Sequence, residues 1–474
     1  MPHERFRFKD RFALERKVAE LGLDIPFSDD IAVLFSPIVV ARRILPNRFV
    51  ILPMEGADAD PTGRPSELTR RRYRNFALGG ARLIWFEATA VTSAGRSNPR
   101  QLWINPQTQD GFQTLVKETR LAAHRRFGPD YDLLIVLQLT HSGRFSKPEG
   151  RPAPVIAQHN PLLDAKLGLA ADYPIVSDSE LDRLQEEYVD AASLAREAGF
   201  DGVDIKACHG YLVSELLAAF TRPDSRYGGT FENRTRFLVE TAEKIKLKVR
   251  GLFVTSRLSV YDSLPYPYGF GVSRSNPGNP DLSEPKKLIK RLKNIDLPIL
   301  NISIGIPAYQ SHYGRPYDKP LIGQPQPDEH PLVGVERWLR LTSEIQKAFP
   351  ALPVVGAGYS WLRHFFPYVA AGMVATEKAS LVGLGRESLA YPGWVNALAA
   401  DGVLDQSKVC VCCSKCSQML RAGRPVGCAV QDAKNYTSEY RNARKTARKT
   451  LREERRIARA AKKRKTEGLR WKKA

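Results

Sequence analysis

Short apolar segments alternate along the chain with longer stretches in which apolar residues recur at helical spacing. The predicted strands are 49–53, 83–87, 133–138, 202–205, 252–258, 299–303, 353–355 and 379–383. Predicted helices lie between most of them, at Glu67–Ala77, 179–198, 233–248 and 335–349. Ser177, followed three residues later by Glu180, is the start signal of a capping box. Eight strands with intervening helices predict an α/β fold, the (β/α)8 TIM barrel.

A doubly wound sheet is the alternative arrangement of the same elements. Its dinucleotide-binding form opens with Gly-x-Gly-x-x-Gly, and no such motif opens a helix near the first predicted strand. In a barrel, the chemistry lies where the strands end. The polar residues at these ends are Glu55, Gln138, Lys206, His209, Tyr211, Arg257 and Arg386. We expect these side chains to face one mouth.

Charge and cysteine content divide the chain further. The 474 residues include 72 Lys+Arg and 51 Asp+Glu, a net charge of +21. Residues 439–474 hold 16 basic and 4 acidic residues, so +12 of that charge lies there. Five of the six cysteines fall between Cys410 and Cys428. These changes in charge and cysteine content along the chain predict four segments. They are an N-terminal helical extension (1–33), the barrel (34–400), a Cys-rich segment (401–437) and a basic tail (438–474) that is helical or disordered.

Composition also excludes several classes of protein. A hydrophobic fraction of 43% excludes a wholly disordered chain. No apolar run reaches the roughly 18 residues of a membrane helix, so we expect no membrane partner. The first residues lack the apolar core of a secretory signal, which predicts a cytoplasmic protein. There, clustered cysteines bind metal more often than they form disulfides.

Several motifs occur in a fixed order along the body. They are NRFVILPM (47–54), EATAV (87–91), QLTHSGR (138–144), AGFDGVDI (198–205), HGYL (209–212), RYGGTFENR (226–234) and GLGR (383–386). In this order they resemble the old yellow enzyme family of FMN-dependent oxidoreductases, from about residue 34 to 394. The Cys-rich segment is similar to the iron–sulfur branch of that family, which includes 2,4-dienoyl-CoA reductase and trimethylamine dehydrogenase.

The resemblance implies an FMN site. Its residues would be Pro53, Met54, Glu55, Ala88, Gln138, Arg257, Gly356, Gly358, Gly385 and Arg386. The Gln138 amide, a donor and an acceptor, suits the pyrimidine edge of the flavin ring. Arg257 matches the family's arginine near flavin N1, where a cation would stabilise the anionic reduced flavin. The three glycines and Arg386 would hold the phosphate, with tight turns as the alternative role of the glycines.

The resemblance also implies the catalytic residues. His209 and Lys206 match the pair that hydrogen-bonds the substrate carbonyl, and Tyr211 matches the proton donor. Lys206 stands where the family usually has histidine, and Glu55 where it has a small or thiol side chain. We therefore predict that Glu55 and Lys206 form an ion pair; alternatively, Lys206 binds an anionic or carbonyl group of the substrate, or reaches solvent. His312 would assist proton donation, with loop packing as the alternative.

The cysteine spacing leaves the metal-binding set open. Cys410, Cys413, Cys416 and Cys428 are spaced C-x2-C-x2-C-x11-C. The iron–sulfur branch typically has C-x2-C-x3-C before its fourth cysteine, and a register through Cys412, Cys416 and Cys428 preserves the later spacings. Four thiolates suit a [4Fe-4S] cluster. Tetrahedral zinc and unmetallated thiols are the alternatives.

We therefore predict an FMN-dependent NAD(P)H oxidoreductase that reduces an activated C=C bond, as an ene-reductase or enoate reductase does. One alternative is a flavin-dependent dehydrogenase of an amine or related substrate that passes electrons through an iron–sulfur cluster to an external electron-transfer protein. A third hypothesis, from another class, is a protein that binds nucleic acid or an acidic partner through its basic tail.

Overall fold

Eight parallel strands close into a barrel in the computed structural model, which describes residues 2–471 and leaves out the side chains of residues 454, 455 and 457–471. The strands, numbered along the chain, are β1 (Ile38–Val40), β2 (Arg43–Leu45), β3 (Phe49–Ile51), β4 (Leu83–Ala90), β5 (Leu134–Thr140), β6 (Gly202–Ile205), β7 (Phe253–Tyr261), β8 (Leu300–Ile304), β9 (Val354–Gly356) and β10 (Leu381–Leu384). Strands β3 to β10 form the barrel in sequence order, and β10 closes it by pairing with β3. The predicted (β/α)8 barrel is confirmed.

Helices cover the outside of the barrel and extend beyond it at both termini. They are α1 (Arg11–Glu20), α2 (Glu67–Ala77), α3 (Gln109–Phe127), α4 (Pro161–Leu167), α5 (Asp178–Glu197), α6 (Leu212–Leu217), α7 (Phe231–Lys248), α8 (Ser283–Asn294), α9 (Ser311–Gly314), α10 (Pro331–Ala348), α11 (Phe366–Ala375), α12 (Arg386–Ala390), α13 (Trp394–Asp401), α14 (Lys415–Arg421) and α15 (Ala433–Trp471). Three short 3-10 helices span Ile31–Phe35, Gly143–Phe145 and Tyr359–Phe365. The capping box of Ser177 and Glu180 opens α5 as predicted.

The predicted strands fall on the barrel strands, but three of them end two or three residues too early. Strand β4 continues to Ala90, β5 to Thr140 and β7 to Tyr261. Polar residues such as Glu87 and Thr140 end the apolar runs in the sequence, yet they are fully buried in the fold. The apolar pattern of the sequence therefore does not mark these strand ends, because the barrel buries their polar residues at the mouth.

The hydrophobic core continues from the barrel into both flanking segments. It includes Phe6 and Leu14 from the N-terminal extension, and Met419 and Val426 from the Cys-rich segment. Within residues 2–33, the extension contains the α-helix α1 and the beginning of the 3-10 helix Ile31–Phe35. The hairpin β1–β2 was not predicted, because its strands have only three residues each.

Helix α15 joins the Cys-rich segment to the basic tail without a break. The boundary predicted at residue 438 falls inside this 39-residue helix. Its first turns pack on the body, because Tyr436 and Ala443 are buried. Residue 1 of the predicted extension and residues 472–474 of the predicted tail lie outside the described residues. Within residues 2–471, no helix has the length and apolar content of a membrane span.

Candidate active site at the barrel mouth

The predicted site residues lie at the carboxyl end of the barrel, on or just after different strands. Pro53, Met54 and Glu55 follow β3, Ala88 lies in β4, and Gln138 lies in β5. Lys206, His209 and Tyr211 follow β6, Arg257 lies in β7, and the glycines and Arg386 lie at or after β9 and β10. Because all eight strands are parallel, these ends meet at one mouth. His312 lies in α9, after β8.

Gln138 is oriented by a buried carboxylate on the neighbouring strand. Its amide nitrogen donates to Asp204 Oδ2 over 2.6 Å. Trp85 Nε1 donates to the same oxygen over 2.8 Å, and the Arg257 backbone N–H donates to Oδ1 over 2.6 Å. Burial raises the pKa of Asp204 to about 6, against these hydrogen bonds. This bond uses one of the two amide N–H groups of Gln138, so the amide oxygen and the second N–H remain for a ligand.

Arg257 and Asn301 are the polar groups most clearly prepared for a ligand. They are register partners on β7 and β8, so their side chains lie on the same side of the barrel wall. Among the described residues, Arg257 Nε and both side-chain polar atoms of Asn301 are buried without a hydrogen-bond partner. Each such group costs about 1–3 kcal/mol when it stays unpaired. A guanidinium beside a carboxamide therefore fits the polar edge of a bound flavin ring, and FMN fits the residues present.

The glycines at the phosphate side are explained by protein packing. A Cβ at Gly358, where φ is +96°, would lie 2.7 Å from Trp338 Cβ. A Cβ at Gly385 would lie 2.6 Å from Met54 Sδ. The glycines alone are therefore no sign of a phosphate. Arg386 is a better sign, because its Nη2 donates to the Pro316 carbonyl over 3.0 Å while its buried Nη1 has no partner within the described chain.

A strained turn brings Lys206, His209 and Tyr211 together after β6. His209 and Gly210 have φ angles of +67° and +71°, a conformation that is unfavourable for a residue with a side chain. The turn leads into α6 and places the Tyr211 ring under Lys206, whose Nζ lies 3.8 Å from the ring centroid. His209 Nε2 lies 3.2 Å from Ser303 Oγ on β8. The three side chains thus form one group at the mouth, in which Lys206 is buried and His209 and Tyr211 are half-buried.

Electrostatics assigns different protonation states to these residues. Burial, the Glu55 charge and the Cys208 thiol raise the pKa of Tyr211 well above its usual value, so it keeps its proton at neutral pH. Burial and the nearby Arg257 and Lys206 lower the pKa of His209 well below its usual value. Tyr211 is therefore the available acid, and His209 is a neutral hydrogen-bonding group.

Glu55 is half-buried beside this group, and among the described residues it makes no direct ion contact with Lys206. Its Oε1 instead accepts hydrogen bonds from Ser97 Oγ and, over 2.9 Å, from Asn98 Nδ2. Burial raises the pKa of Glu55, while Lys206 and hydrogen bonds from Ser97, Asn98 and Tyr211 lower it. The carboxylate is satisfied by neutral donors, because these lie closer to it than the ammonium does.

His312 packs in its loop. Its Nε2 lies 3.8 Å from Glu329 Oε1, and its ring meets that of Tyr313 at a centroid distance of 4.9 Å. Burial lowers the pKa of His312, and the charged groups that act on it are those of Glu329, Arg337 and His3, not those at the mouth. Its role in proton donation therefore stays a prediction.

The five predicted metal ligands border one small cavity together with Arg386. Cys410, Cys413, Cys416 and Cys428 line a space of about 20 Å³, and all six cysteines are free thiols. The backbone N–H groups of Cys412 and Gln431 donate to the sulfurs of Cys410 and Cys428, each over 3.4 Å. Cys412 also borders the cavity, but its thiol donates to the Ser360 carbonyl over 3.3 Å. Within residues 2–471, no three or more His, Cys, Asp or Glu side chains are arranged to hold a metal ion.

Three residues of the site were missed by sequence reasoning. Ser97 and Asn98 lie in the long loop after β4, where the sequence gives no periodic signal. Asn301 had a usable signal, because it interrupts the apolar run of β8 between Leu300 and Ile302. A polar residue inside a buried strand requires a partner, and no group of the described residues supplies one to Asn301.

Comparison with known proteins identifies the family of this barrel. The model of the NADH:flavin oxidoreductase / NADH oxidase family matches residues 33–268. The chain belongs to this family. The predicted resemblance to the old yellow enzyme family is thereby confirmed.

Two related proteins and one solved structure show what this member of the flavin oxidoreductase family is similar to. The NADH oxidase of Thermoanaerobacter brockii is 27% identical over 390 residues, which are 80% of this chain and 52% of that protein. The NADPH dehydrogenase of Clostridium acetobutylicum is 31% identical over 215 residues, 45% of this chain and 59% of that protein. The chain thus spans between half and two thirds of these relatives. The solved old yellow enzyme homologue from Zymomonas mobilis is 23% identical, with a TM-score of 0.56 over 79% of this chain and 94% of that one, and shares the fold.

Proposed function

We propose that this protein is an FMN-dependent NAD(P)H oxidoreductase that reduces an activated C=C bond of a small molecule in the cytoplasm. The proposal is carried by one observation: Tyr211, His209 and Lys206 lie together at the mouth that also holds the unpaired Arg257 Nε and the unpaired Asn301 amide. The family and its NADH oxidase and NADPH dehydrogenase members support the choice of electron donor.

Some residues of the mouth would bind the cofactor, and others would bind the substrate. Arg257, Asn301 and the Gln138 amide oxygen would bind the flavin ring, and Arg386 would bind the phosphate. When bound, FMN would supply a carrier that accepts two electrons from the nicotinamide and delivers a hydride to the substrate. His209 and Lys206 would orient the substrate's activating group. Tyr211 would donate its hydroxyl proton to the carbon next to the activating group.

The test is the exchange of Tyr211 for phenylalanine in the FMN-loaded protein. Loss of a positioned acid should slow substrate reduction by about 10²–10⁴-fold. Reduction of the flavin by NADPH should change less than about threefold, since Tyr211 supplies no proton there. Anaerobic stopped-flow absorbance at the flavin band measures both half-reactions separately. Equal slowing of both would remove Tyr211 from the role of proton donor.

We further propose that Cys410, Cys413, Cys416 and Cys428 hold a [4Fe-4S] cluster. All five clustered cysteines border the cavity, but the Cys412 thiol donates to the Ser360 carbonyl, which supports the other four as the set. Iron and sulfide analysis of anaerobically purified protein tests it, with Cys412→Ser as the matched control for Cys413→Ser. If both variants lose the iron equally, or neither does, the assignment is wrong. If the protein instead contains one zinc ion per chain, the site is a zinc site and not a [4Fe-4S] cluster.

We propose that the basic helix α15 binds an acidic partner, such as an electron-transfer protein. Truncation must spare its packed first turns, including the buried Ala443. Removal of residues 457–474 takes away eight basic and one acidic residue. We expect unchanged flavin reduction by NADPH, and a salt-dependent loss of binding to an acidic protein in pull-down assays. Binding that persists after truncation would contradict this role.

A further inference from the structure

Glu55 is a titratable residue of the mouth to which the proposed function gives no task. It stands where the family has a small or thiol side chain, so the family pattern does not explain it either. Glu55 follows β3 and is half-buried, which places it between the enclosed part of the mouth and solvent. A carboxyl group in such a place can take a proton from water and pass it to a neighbouring group of the site.

The hydrogen bonds of Glu55 lead to Tyr211. Its Oε1 accepts from Ser97 Oγ and, over 2.9 Å, from Asn98 Nδ2. The Tyr211 hydroxyl is a further hydrogen-bond partner of the Glu55 carboxylate, and the Ser97 hydroxyl is also a partner of Tyr211. Glu55 and Tyr211 are therefore connected directly and through one hydroxyl, which can accept one proton while it donates another.

Glu55 holds its proton more tightly than an exposed glutamate does. Burial raises the pKa of Glu55, and this effect outweighs Lys206 and the hydrogen bonds, which lower it. The carboxylate of Glu87, in β4, is a further charged neighbour. The titratable groups that face Glu55 from other elements of the described chain are thus Lys206, Tyr211 and Glu87. At a given pH, a larger share of Glu55 is therefore protonated than of a glutamate on the surface.

Tyr211 is a poor acid as long as Glu55 is ionised. The Glu55 charge raises the pKa of Tyr211, together with burial and the Cys208 thiol. Transfer of the Tyr211 proton to a substrate would then leave a phenolate beside a carboxylate, two like charges at close range. A protonated Glu55 removes this repulsion and holds the proton that the phenolate needs. Because a phenolate binds a proton far more tightly than a carboxylate does, that transfer is strongly favourable.

We propose that Glu55 relays a solvent proton to Tyr211, directly or through Ser97, in the step in which Tyr211 protonates the substrate. This rests on the proposed C=C reduction and completes its proton pathway. As the hydride from NAD(P)H reaches the β carbon, the π electrons of the C=C bond form a C–H bond at the α carbon with the Tyr211 proton. The Glu55 O–H bond breaks while the Tyr211 O–H bond is restored, and the carboxylate then takes a proton from water. One hydride and one solvent proton thus end on the substrate.

The rate at which benzylideneacetone reoxidises the reduced, FMN-loaded full chain tests the relay. Anaerobic stopped-flow absorbance measures this rate between about pH 6 and 9. In the wild type it should fall as the pH rises through the pKa of Glu55, because only the protonated carboxyl group has a proton to pass on. Glu55→Gln, which keeps the shape of the side chain, should be at least about tenfold slower at the low end of this range and should lose the pH dependence.

Two further variants separate proton transfer from other effects of the exchange. Glu336, on the outer helix α10, is also half-buried and has a pKa raised by burial, so Glu336→Gln is the matched control and should keep the rate and its pH profile. In Glu55→Ala, formate at constant pH and ionic strength should raise the rate at least about fivefold, because a small acid enters the space of the missing carboxyl group. Tyr211→Phe should not respond to formate, since the acceptor of the relayed proton is gone.

FMN content and thermal unfolding of each variant show that it is folded. The relay is overturned if Glu55→Gln is as fast as the wild type or keeps its pH profile, or if formate does not accelerate Glu55→Ala. Each of these results leaves C=C reduction standing. A reduced wild-type protein that neither benzylideneacetone nor cyclohexenone reoxidises would contradict C=C reduction itself, and the relay with it.

Discussion

Two buried arginines near the mouth have opposite surroundings. Arg144, after β5, donates from Nε to Glu215 over 3.0 Å, from Nη1 to Asp164, and from Nη2 to Glu215 and the Gln158 carbonyl. Arg257, in β7, has a buried Nε with no partner among residues 2–471. Both side chains are almost fully enclosed. The first arginine is therefore paired by the protein, and the second is left for a ligand.

The difference separates structural charges from functional ones better than burial or motif membership does. Arg144 ends the QLTHSGR motif and Arg257 matches the family's arginine near flavin N1, but neither match shows whether the protein itself pairs the charge. A buried charge with protein partners contributes to folding, and its loss leaves other charges unpaired. A buried charge without partners contributes little to folding, and its loss should appear in ligand affinity.

The largest expected effect is that of Arg144→Met on stability. The change leaves Asp164 and Glu215 without their buried counter-ion, so the free energy of unfolding should fall by about 3–5 kcal/mol. Urea denaturation of the apoprotein measures the loss. The folded fraction should bind FMN with unchanged affinity. A loss below about 1 kcal/mol would mean that the Arg144 cluster is not a structural one.

Asp204→Asn should change how stability depends on pH. Burial raises the pKa of Asp204 to about 6 in the fold, above its usual value, so the folded state holds this proton more tightly than the unfolded chain. Its contribution is therefore complete below about pH 4 and is lost as pH rises through about 6, on the order of 3 kcal/mol in total.

Denaturation of the apoprotein from pH 4 to 7 checks this pH dependence. The wild type should lose more stability over this range than Asp204→Asn does, whatever the absolute stability of the variant. Parallel curves would show that Asp204 does not titrate there. Asp262 is a second buried aspartate whose pKa is raised to about 6 by burial, and it lies outside the Gln138–Asp204 pair. The Asp262→Asn variant tests whether its titration gives the same change of stability with pH.

The smallest effect on folding is expected for Arg257→Met. Since Arg257 Nε has no partner in the described chain, apoprotein stability should change by less than about 1 kcal/mol. The dissociation constant for FMN should nevertheless rise about 10–100-fold, because a charged hydrogen bond is lost. Fluorescence titration of the apoprotein with FMN measures it. If Arg257→Met destabilises the apoprotein as much as Arg144→Met, the contrast between the two arginines is wrong.

Strand order was predictable because short apolar runs are local signals in the sequence. The position of the mouth was predictable because a parallel barrel brings the carboxyl ends of its strands to one face. The lengths of β4, β5 and β7 were not, since their last residues include polar groups that only the barrel buries. Glu55 and Lys206 act on each other electrostatically but make no direct ion contact among the described residues, for a related reason. Ser97 and Asn98 approach Glu55 through a loop whose path has no pattern in the sequence.

The amino-acid sequence by itself determined the eight strands, the family motifs and the presence of Lys206, Tyr211 and the clustered cysteines. These follow from periodicity and residue identity, which need no knowledge of distant contacts. Only the tertiary structure decided which polar groups are satisfied: Gln138 by Asp204, Glu55 by Ser97 and Asn98, and Lys206, Arg257 and Asn301 by no described protein group. Pairing of buried polar groups depends on residues far apart in the chain, and it is this pairing that marks the part of the mouth prepared for ligands.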